Sequence, residues 1–468
     1  MTSDEINIAD VKDLDQAKEV IVFLLDENEA LREKILRLEK NSKTSSKPPS
    51  SDFFSNAKSC ESKGKKSGGK NSGKSGKGKA TSKNPKPARF AAAAKVSEFK
   101  KLEIKFCPAT GNTLHQEATI TRFQTFELRE DPVTIKEYEL ESRYCPDCLV
   151  YHQAPAPNGG RKFGPRLECL LSYLRSAPMS VSSLVDLCEE VFEFPACKST
   201  IQASIDRVSS SLAPAHNEVI SAVTDQKSIH VDETGWKLKG ALVWAWVFCS
   251  TSLAAFVLRP SRSADVLKEV LGSIFSGAIH SDFFSAYVSY ACEKQQFCLA
   301  HLIRDLLALG KCHNRKDSLF SSQVLEKFRQ LIHLWHKRDI IDGLSYKRRV
   351  ANLKTRLRNV LNQADPTTRD AKRLKKRILK YWDSLFRFLE HPELFAPTNN
   401  YAERTIRKLV CIRKLSFGSQ SEKGLRWIER SMTVIQTLRI QRRPVFEFML
   451  AALNSKYQGS KMPSLLKM

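Results

Sequence analysis

Three acidic residues, far apart in the chain, have the chemistry of a cation site. Asp232 and Glu233 follow the short apolar run of Ile229, His230 and Val231 in "SIHVDETGWKLKG"; Asp282 lies in "GAIHSDFFSAYVSY" and Glu403 in "PTNNYAERTIRKLV". The runs before Asp232 and Asp282 read as short strands that each deliver one carboxylate at their end, the first closing in a glycine turn. Pro397 and the asparagines after it read as a helix start, which puts Glu403 in the first turns. Taken singly these residues say little: an aspartate at a strand end caps or turns the chain, and a glutamate beside Arg404 and Arg407 is ordinarily a surface ion pair. Together they suit a different task. Hard divalent cations take oxygen ligands, and two such ions ~3.5–4 Å apart stabilise both the attacking and the leaving oxygen of a phosphodiester displacement. Asp232, Asp282 and Glu403 are therefore the candidate catalytic residues, with magnesium or manganese as the cofactor. No Walker loop, nucleophile elbow or His-Glu-x-x-His suggests a rival chemistry.

The neighbouring segments must position these acids. "ALVWAWVFCS" (241–250) and "LAAFVLRPSR" (253–262) are apolar, β-branched and aromatic, and the turn between them predicts adjacent antiparallel strands. "SADVLKEVLGSI" predicts a helix leading to the strand that carries Asp282. Residues 299–395 favour helix, and 347–380 are dense in Lys and Arg, either as a solvated face or as a surface for DNA backbone. Arg404, Arg407, Arg413 and Lys414 around Glu403 are suited to phosphates. His301, in "CLAHLIRD", reads equally as a helper near the site and as a packed helix histidine.

The 468 residues carry 76 Lys+Arg against 51 Asp+Glu, a net charge of +25. That excess points to a polyanionic partner, nucleic acid first and an anionic membrane surface second. No apolar run reaches the ~18 residues a bilayer demands, and "MTSDEINIAD" lacks a signal-peptide core. The expectation is a cytoplasmic, nucleoid-associated protein with no membrane partner. Most of the twelve cysteines, including Cys169, Cys188, Cys249 and Cys411, are expected as buried free thiols.

The N-terminal half divides by composition. Residues 1–42 carry heptads, with Leu14, Ile21, Asn28 and Ile35 at one seam position and Ala17, Leu24, Leu31 and Leu38 at the other. This predicts a coiled coil that joins protomers into a homodimer or higher oligomer, or else an amphipathic helix on its own core. Residues 43–98 are rich in Ser, Lys and Gly, a disordered basic linker that acts as a tether or touches phosphates without sequence preference. Within 99–155, "KFCPATGNTLH" holds Cys107 and "YCPDCLVYH" holds Cys145 and Cys148. Three thiolates with His115 or His152 would hold a structural zinc. Thr110, where the first knuckle needs its second cysteine, leaves open a zinc-ribbon-like module that outlived its metal. Residues 160–215 predict helices over "GPRLECLLSYLRSA", "SVSSLVDLCEEVF" (capped by Ser182 or Ser183) and "STIQASIDRVSSSL". Read as a helix-turn-helix, the third would turn Lys198, Ser199, Thr200, Gln202 and Arg207 to DNA; ordinary helical packing is the competing reading.

The ordered motifs "NSKTSSKPPSSD", "CPATG", "YCPDC", "FGPRLECLLSYL", "HVDETGW", "HSDFFSAY", "CLAHLIRDL" and "NNYAERTIRKLVCIRKLSFGSQSEKG" resemble those of the insertion-sequence-66 family of transposases over nearly the whole chain. Leu299 departs from the tryptophan usual there. The resemblance implies an α/β DDE transposase whose ribonuclease-H-like core has two parts, 225–298 and 396–455, separated by a helical insertion at 299–395. It implies Asp232, Asp282 and Glu403 as the catalytic acidic triad, and as partners DNA (the element's terminal inverted repeats and target DNA) and accessory transposition proteins. Two rivals stand beside it: a non-catalytic DNA-binding relic or regulator, and a ribonuclease-H-like nuclease without strand transfer.

Overall fold

The computed structural model describes residues 96–466 apart from 97, 114–123, 126, 130, 178 and 293. The heptads of 1–42, nearly all of the Ser/Lys/Gly segment and His115 lie outside the described residues. Two compact units meet in sequence between Glu141 and Ser142. In the smaller one Cys107 sits in a tight turn: its N–H donates to Asn112 O (2.8 Å), Gly111 N–H donates back to Cys107 O (2.8 Å), and Phe106 and Thr113 form an isolated antiparallel bridge.

The larger unit opens with an antiparallel hairpin, β1 (Ser142–Cys145) and β2 (Val150–Gln153), whose residues are nearly all exposed. Helices α1 (Pro165–Arg175), α2 (Val181–Glu190), α3 (Lys198–Ser211) and α4 (Ala213–Ala222) follow. Ser180, rather than Ser182 or Ser183, caps α2. It is still extended, and its Oγ accepts the Ser183 N–H at 2.9 Å.

Among the described residues of this unit, a five-stranded sheet has the order β5-β4-β3-β6-β7. β3 (Ser228–Leu238), β4 (Ala241–Cys249) and β5 (Ala254–Arg259) form an antiparallel meander. After α5 (Ala264–Leu271), β6 (Ala278–Ser281) returns parallel to β3; α6 (Ser285–Ser289) then leads to β7 (Gln295–Phe297), parallel to β6.

The glycine turn expected soon after Asp232 does not form. β3 continues through Gly235, paired with Trp244, and the chain turns instead at Lys239 and Gly240, with φ of 49° and 84°. The unbroken aromatic and β-branched run of β4 gives β3 a partner along its length, and Trp236 is buried by staying in the strand. Asp232 is therefore a mid-strand residue.

β7 is followed by α7 (Leu299–Leu309), α8 (Arg315–His336), α9 (Gly343–Gln363), α10 (Arg369–Lys380) and α11 (Trp382–Glu390). Their apolar faces, including Phe320, Phe328, Leu357, Ile378 and Phe386, share one core with Phe297 of β7 and Ala278 of β6. The helices are thus fused to the sheet's parallel edge by burial, the dominant favourable term in folding. The chain then returns as α12 (Asn400–Ser416), α13 (Glu422–Ile440) and α14 (Val445–Gln458).

The opposite edge, β5, is closed by side chains. Ala254, Phe256 and Leu258 donate their N–H groups to Thr437 Oγ1 (3.1 Å), Thr433 Oγ1 (2.9 Å) and Glu429 Oε1 (2.7 Å) of α13. Four residues of helix rise ~6 Å and two of strand ~6.7 Å, so acceptors every fourth position meet donors every second. An edge that could pair with another strand is blocked.

Cys169, Cys188 and Cys249 are buried free thiols as expected, but Cys411 is exposed. The buried stripe of α12 runs through Ala402, Ile406, Leu409 and Ile412, and Cys411 falls off its period. No described helix is long and apolar enough to cross a membrane.

Candidate active site

The sheet register brings two of the acids together. β3 and β6 pair in parallel as Ser228↔Ala278, Ile229↔Ile279 and His230↔His280. Two residues beyond the last of these pairs stand Asp232, still within β3, and Asp282, the first residue past the end of β6. The tripeptides His230-Val231-Asp232 and His280-Ser281-Asp282 are thus one pattern used twice. Side chains two apart share a face, and the histidine rings stack with centroids 4.1 Å apart beneath the aspartates.

The histidines are a neutral floor. His280 Nε2 accepts the Ala396 N–H (2.9 Å), which leaves Nδ1 to donate to Ile229 O (3.2 Å). Burial lowers the His230 pKa to about 4 and holds His280 well below the usual range, with His230 adding to the effect.

Glu403 is brought in by α12, and Asn399 fixes where that helix starts. Asn399 is 2% exposed. Its Nδ2 donates to Val231 O (2.7 Å), its Oδ1 accepts from His230 Nδ1 (3.0 Å), and its carbonyl accepts the Glu403 N–H (3.2 Å). One buried amide therefore ties the third acid to the strand carrying the first. Further along α12, Arg413 binds Thr234 Oγ1 (2.7 Å) and Gly235 O, holding the helix across β3.

The charges acting on Asp232 link it to the other two acids. The Asp232 carboxyl is pushed well above its ordinary range, by burial first and then by the charges of Glu233, Asp282 and Glu403. The single N–H it accepts, from Glu233 at 2.9 Å, offsets this only in part. Asp282 is raised by burial, against the Phe284 N–H (2.8 Å) and Arg262. Glu233 differs: Arg262 Nε (3.0 Å) and the Tyr287 hydroxyl both donate to it, yet burial and Asp282 still raise its pKa. Arg262 is in turn sandwiched by Trp244 (4.3 Å) and Phe284 (3.8 Å). A buried carboxyl at Asp232 that feels the charges of Glu233, Asp282 and Glu403 suits a hard divalent cation, which would relieve that repulsion.

Arg262, Asn399 and the Tyr287–Glu233 contact were not legible as site residues. The one sequence signal for this framework is the repeated His-x-Asp tripeptide.

The residues assigned to DNA divide. Lys198 and Ser199 are exposed at the start of α3, and Thr200 is half-buried there. Gln202 bonds Asp206 (2.9 Å) along the same helix. Arg207 is turned inward: its Nε donates to the fully buried Glu168 at 2.8 Å, where Tyr457 of α14 also donates. A buried carboxylate needs a partner, so Arg207 is committed to packing rather than facing DNA. On α12, Arg404 and Lys414 are exposed and Arg407 half-buried, while Arg413 is committed to β3.

At the hairpin, ligand atoms of Cys145, Cys148 and His152 lie within 4.8 Å of one another, and Cys148 Sγ is 3.0 Å from His152 Nε2. Cys107 belongs to the other compact unit, where hydrogen bonds from the Thr110 side chain and the Ala109 and Thr110 backbone lower its thiol pKa.

Comparison with known proteins defines the class. The family model described as "Transposase IS66 family" matches residues 184–426, more than half of the chain and all three acids. The chain belongs to the IS66 transposase family. It is also similar to "Uncharacterized protein y4hP" of Sinorhizobium fredii (strain NBRC 101917 / NGR234), at 23% identity over 361 residues. That alignment covers 68% of this chain and 64% of the length of the relative.

Proposed function

We propose that this protein is a metal-dependent DNA transposase that cuts the terminal inverted repeats of its element and joins the freed ends to target DNA. Family membership supports a transposase role. The observation that carries the catalytic reading is the convergence of Asp232, Asp282 and Glu403, seen in the parallel register and in the charges acting on Asp232. Acids at two adjacent strands and on a returning helix also support a ribonuclease-H-like core.

Asp232 and Asp282 would share the cations, and Glu403 would complete the ligand set. Bound there, magnesium or manganese supplies charge stabilisation to the attacking and leaving oxygens of the phosphodiester. Asn399 and Arg413 hold the Glu403 helix against β3, and Glu233 is occupied by Arg262 and Tyr287. Exposed Arg404 and Lys414 of α12 suit DNA phosphates, as do Lys372, Lys375, Lys376 and Lys380, which line one cleft on α10. In this scheme water opens a P–O bond at the element end to leave a 3′-OH, and that hydroxyl then displaces a target phosphodiester in line. No covalent enzyme intermediate forms. The hairpin module and the α2–α3 region would bind the repeats, the 1–42 heptads would join protomers, and accessory proteins would complete the complex.

The test uses full-length protein and DNA carrying the inverted repeats that flank its gene. Mg²⁺- or Mn²⁺-dependent nicking followed by a joined product is expected, with nicking lost in Asp232→Asn. Binding without nicking would instead identify a non-catalytic DNA-binding protein, and nicking without joining a nuclease.

A further inference from the structure

The same helix start that places Glu403 assembles a second group of ligand atoms with different chemistry. Cys298 Sγ, a ring nitrogen of His301 and a carboxylate oxygen of Glu403 all lie within 4.8 Å of one another. Cys298 immediately precedes α7 and His301 lies three residues on, the spacing that puts two side chains on one helix face. Cys298 is buried, and His301 Nδ1 is buried without a hydrogen-bond partner.

The group is held by a continuous strap. Leu299 N–H donates to Pro397 O (2.9 Å), Asn399 N–H donates to Cys298 Sγ (3.1 Å), and Glu403 N–H donates to Asn399 O (3.2 Å). The thiol and the carboxylate are thus referenced to the same residue, although 104 positions intervene between them. A buried imidazole nitrogen lacking a partner is disfavoured unless something binds it. A thiol, an imidazole and one carboxylate form a mixed donor set suited to a borderline-soft ion rather than to magnesium. Tetrahedral zinc with bonds of ~2.0–2.3 Å wants ligand atoms ~3.3–3.8 Å apart, so the three need to close by about 1.5 Å at most.

We propose that Cys298, His301 and Glu403 form a binding site for a zinc-class divalent ion, beside the acid pocket and sharing Glu403 with it. Binding deprotonates the thiol, the proton passing to solvent, and leaves a fourth coordination position open to water or a phosphate oxygen. Because Glu403 belongs to both sets, occupancy draws it away from Asp232 and Asp282. Zinc therefore antagonises magnesium-supported cleavage. That consequence rests on the proposed catalytic reading; the binding site itself does not.

The test uses the full chain with Cys107, Cys145 and Cys148 changed to serine, which removes the knuckle thiolates, and cobalt(II) as the probe. A thiolate-to-cobalt charge-transfer band in the near ultraviolet is expected at one equivalent, competed away by zinc but not by magnesium. Cys298→Ser should abolish the band, and His301→Ala should keep it while weakening cobalt affinity by roughly tenfold or more. Circular dichroism of each variant reports its folding, and His301→Ala, which leaves the Cys298–Asn399 strap intact, keeps the test decisive if Cys298→Ser unfolds. Absence of the band in the background chain, or equal cobalt affinity with and without His301, would overturn the site. A band present where zinc fails to slow nicking would keep the site and refute the antagonism; loss of nicking in Asp232→Asn with no band would keep the catalytic reading and refute the site together with its antagonism.

Discussion

The acid pocket and the cysteine hairpin place ligand-type side chains in opposite mechanical settings. Asp232 lies mid-strand in a sheet flanked by other strands, under a helix pinned by Asn399 and Arg413. Cys145, Cys148 and His152 ride on a two-stranded ribbon with almost every residue exposed. Isolated hairpins are marginal in water. In the first setting the fold imposes geometry on groups that repel one another, so a bound ion adds chemistry more than structure. In the second nothing buried fixes the ligands, so a bound ion would add structure more than chemistry.

The largest effect expected from this contrast is on activity at the acid pocket. Asp232→Asn, Asp282→Asn or Glu403→Gln should each reduce nicking of repeat DNA by ~10³-fold or more, with the fold retained. Gel assays of single-turnover nicking check this, and a variant within tenfold of the parent would remove that residue from the catalytic set. Chelation should produce the converse at the ribbon. A zinc site held at a hundredfold its Kd contributes ~2.7 kcal/mol, so chelator should raise amide exchange at Tyr144, Cys145, Val150 and Tyr151 by about two orders of magnitude while β3 and β4 stay protected. Equal exchange with and without chelator would show that the hairpin needs no ion.

Asn399→Ala tests how the third acid is positioned. The amide touches no substrate in the proposed scheme, so it is a positioning residue, and losses of ~10–100-fold in kcat are typical of such outer partners. KM for DNA should change little, and Asn399→Asp should restore less than Asn399→Gln because it cannot donate to Val231 O. A change confined to KM would contradict the assignment.

Residue types and local pattern made the acids and the main strands legible. β4, β5, α5, α9 and α10 follow the apolar and basic runs that suggested them, and Asp232, Asp282 and Glu403 stand on elements of the expected kind. What stayed hidden depends on partners far away in the chain. The turn after Asp232 was misplaced because Gly235 signals a break only when no partner strand spans it, and β4 does. Arg207 looked like a DNA contact because Glu168, its buried partner, lies 39 residues earlier; Arg413 looked the same because Gly235 lies 178 residues earlier. A helical periodicity shows that a side chain lies on one face, and only the tertiary fold says what that face meets. Asn399 was visible as part of a helix start, but not its bond to β3.

The smallest expected effect concerns stability, and its sign follows from the crowding of charge. Asp232, Glu233 and Asp282 all have pKa values raised in the folded protein, with burial as the first cause. Unfolded carboxyls titrate near pH ~4, so above that the native state binds more protons than the unfolded chain, and stability falls as pH rises through the raised values. Asp232→Asn removes one of the repelling charges without changing side-chain volume. The metal-free variant should therefore melt higher than its parent at pH 7, by ~2–4 °C if the gain is about 1 kcal/mol, and the advantage should shrink towards pH ~4 as the parent's carboxyl protonates in both states. Magnesium should raise the melting temperature of the parent more than that of the variant, because only the parent keeps the full set of oxygen donors. Thermal melts from pH 4 to 8, with and without Mg²⁺, check both signs. If Asp232→Asn melts lower than its parent at pH 7, the carboxylate is stabilised by its surroundings, and the repulsion on which the proposed cation site rests is not there.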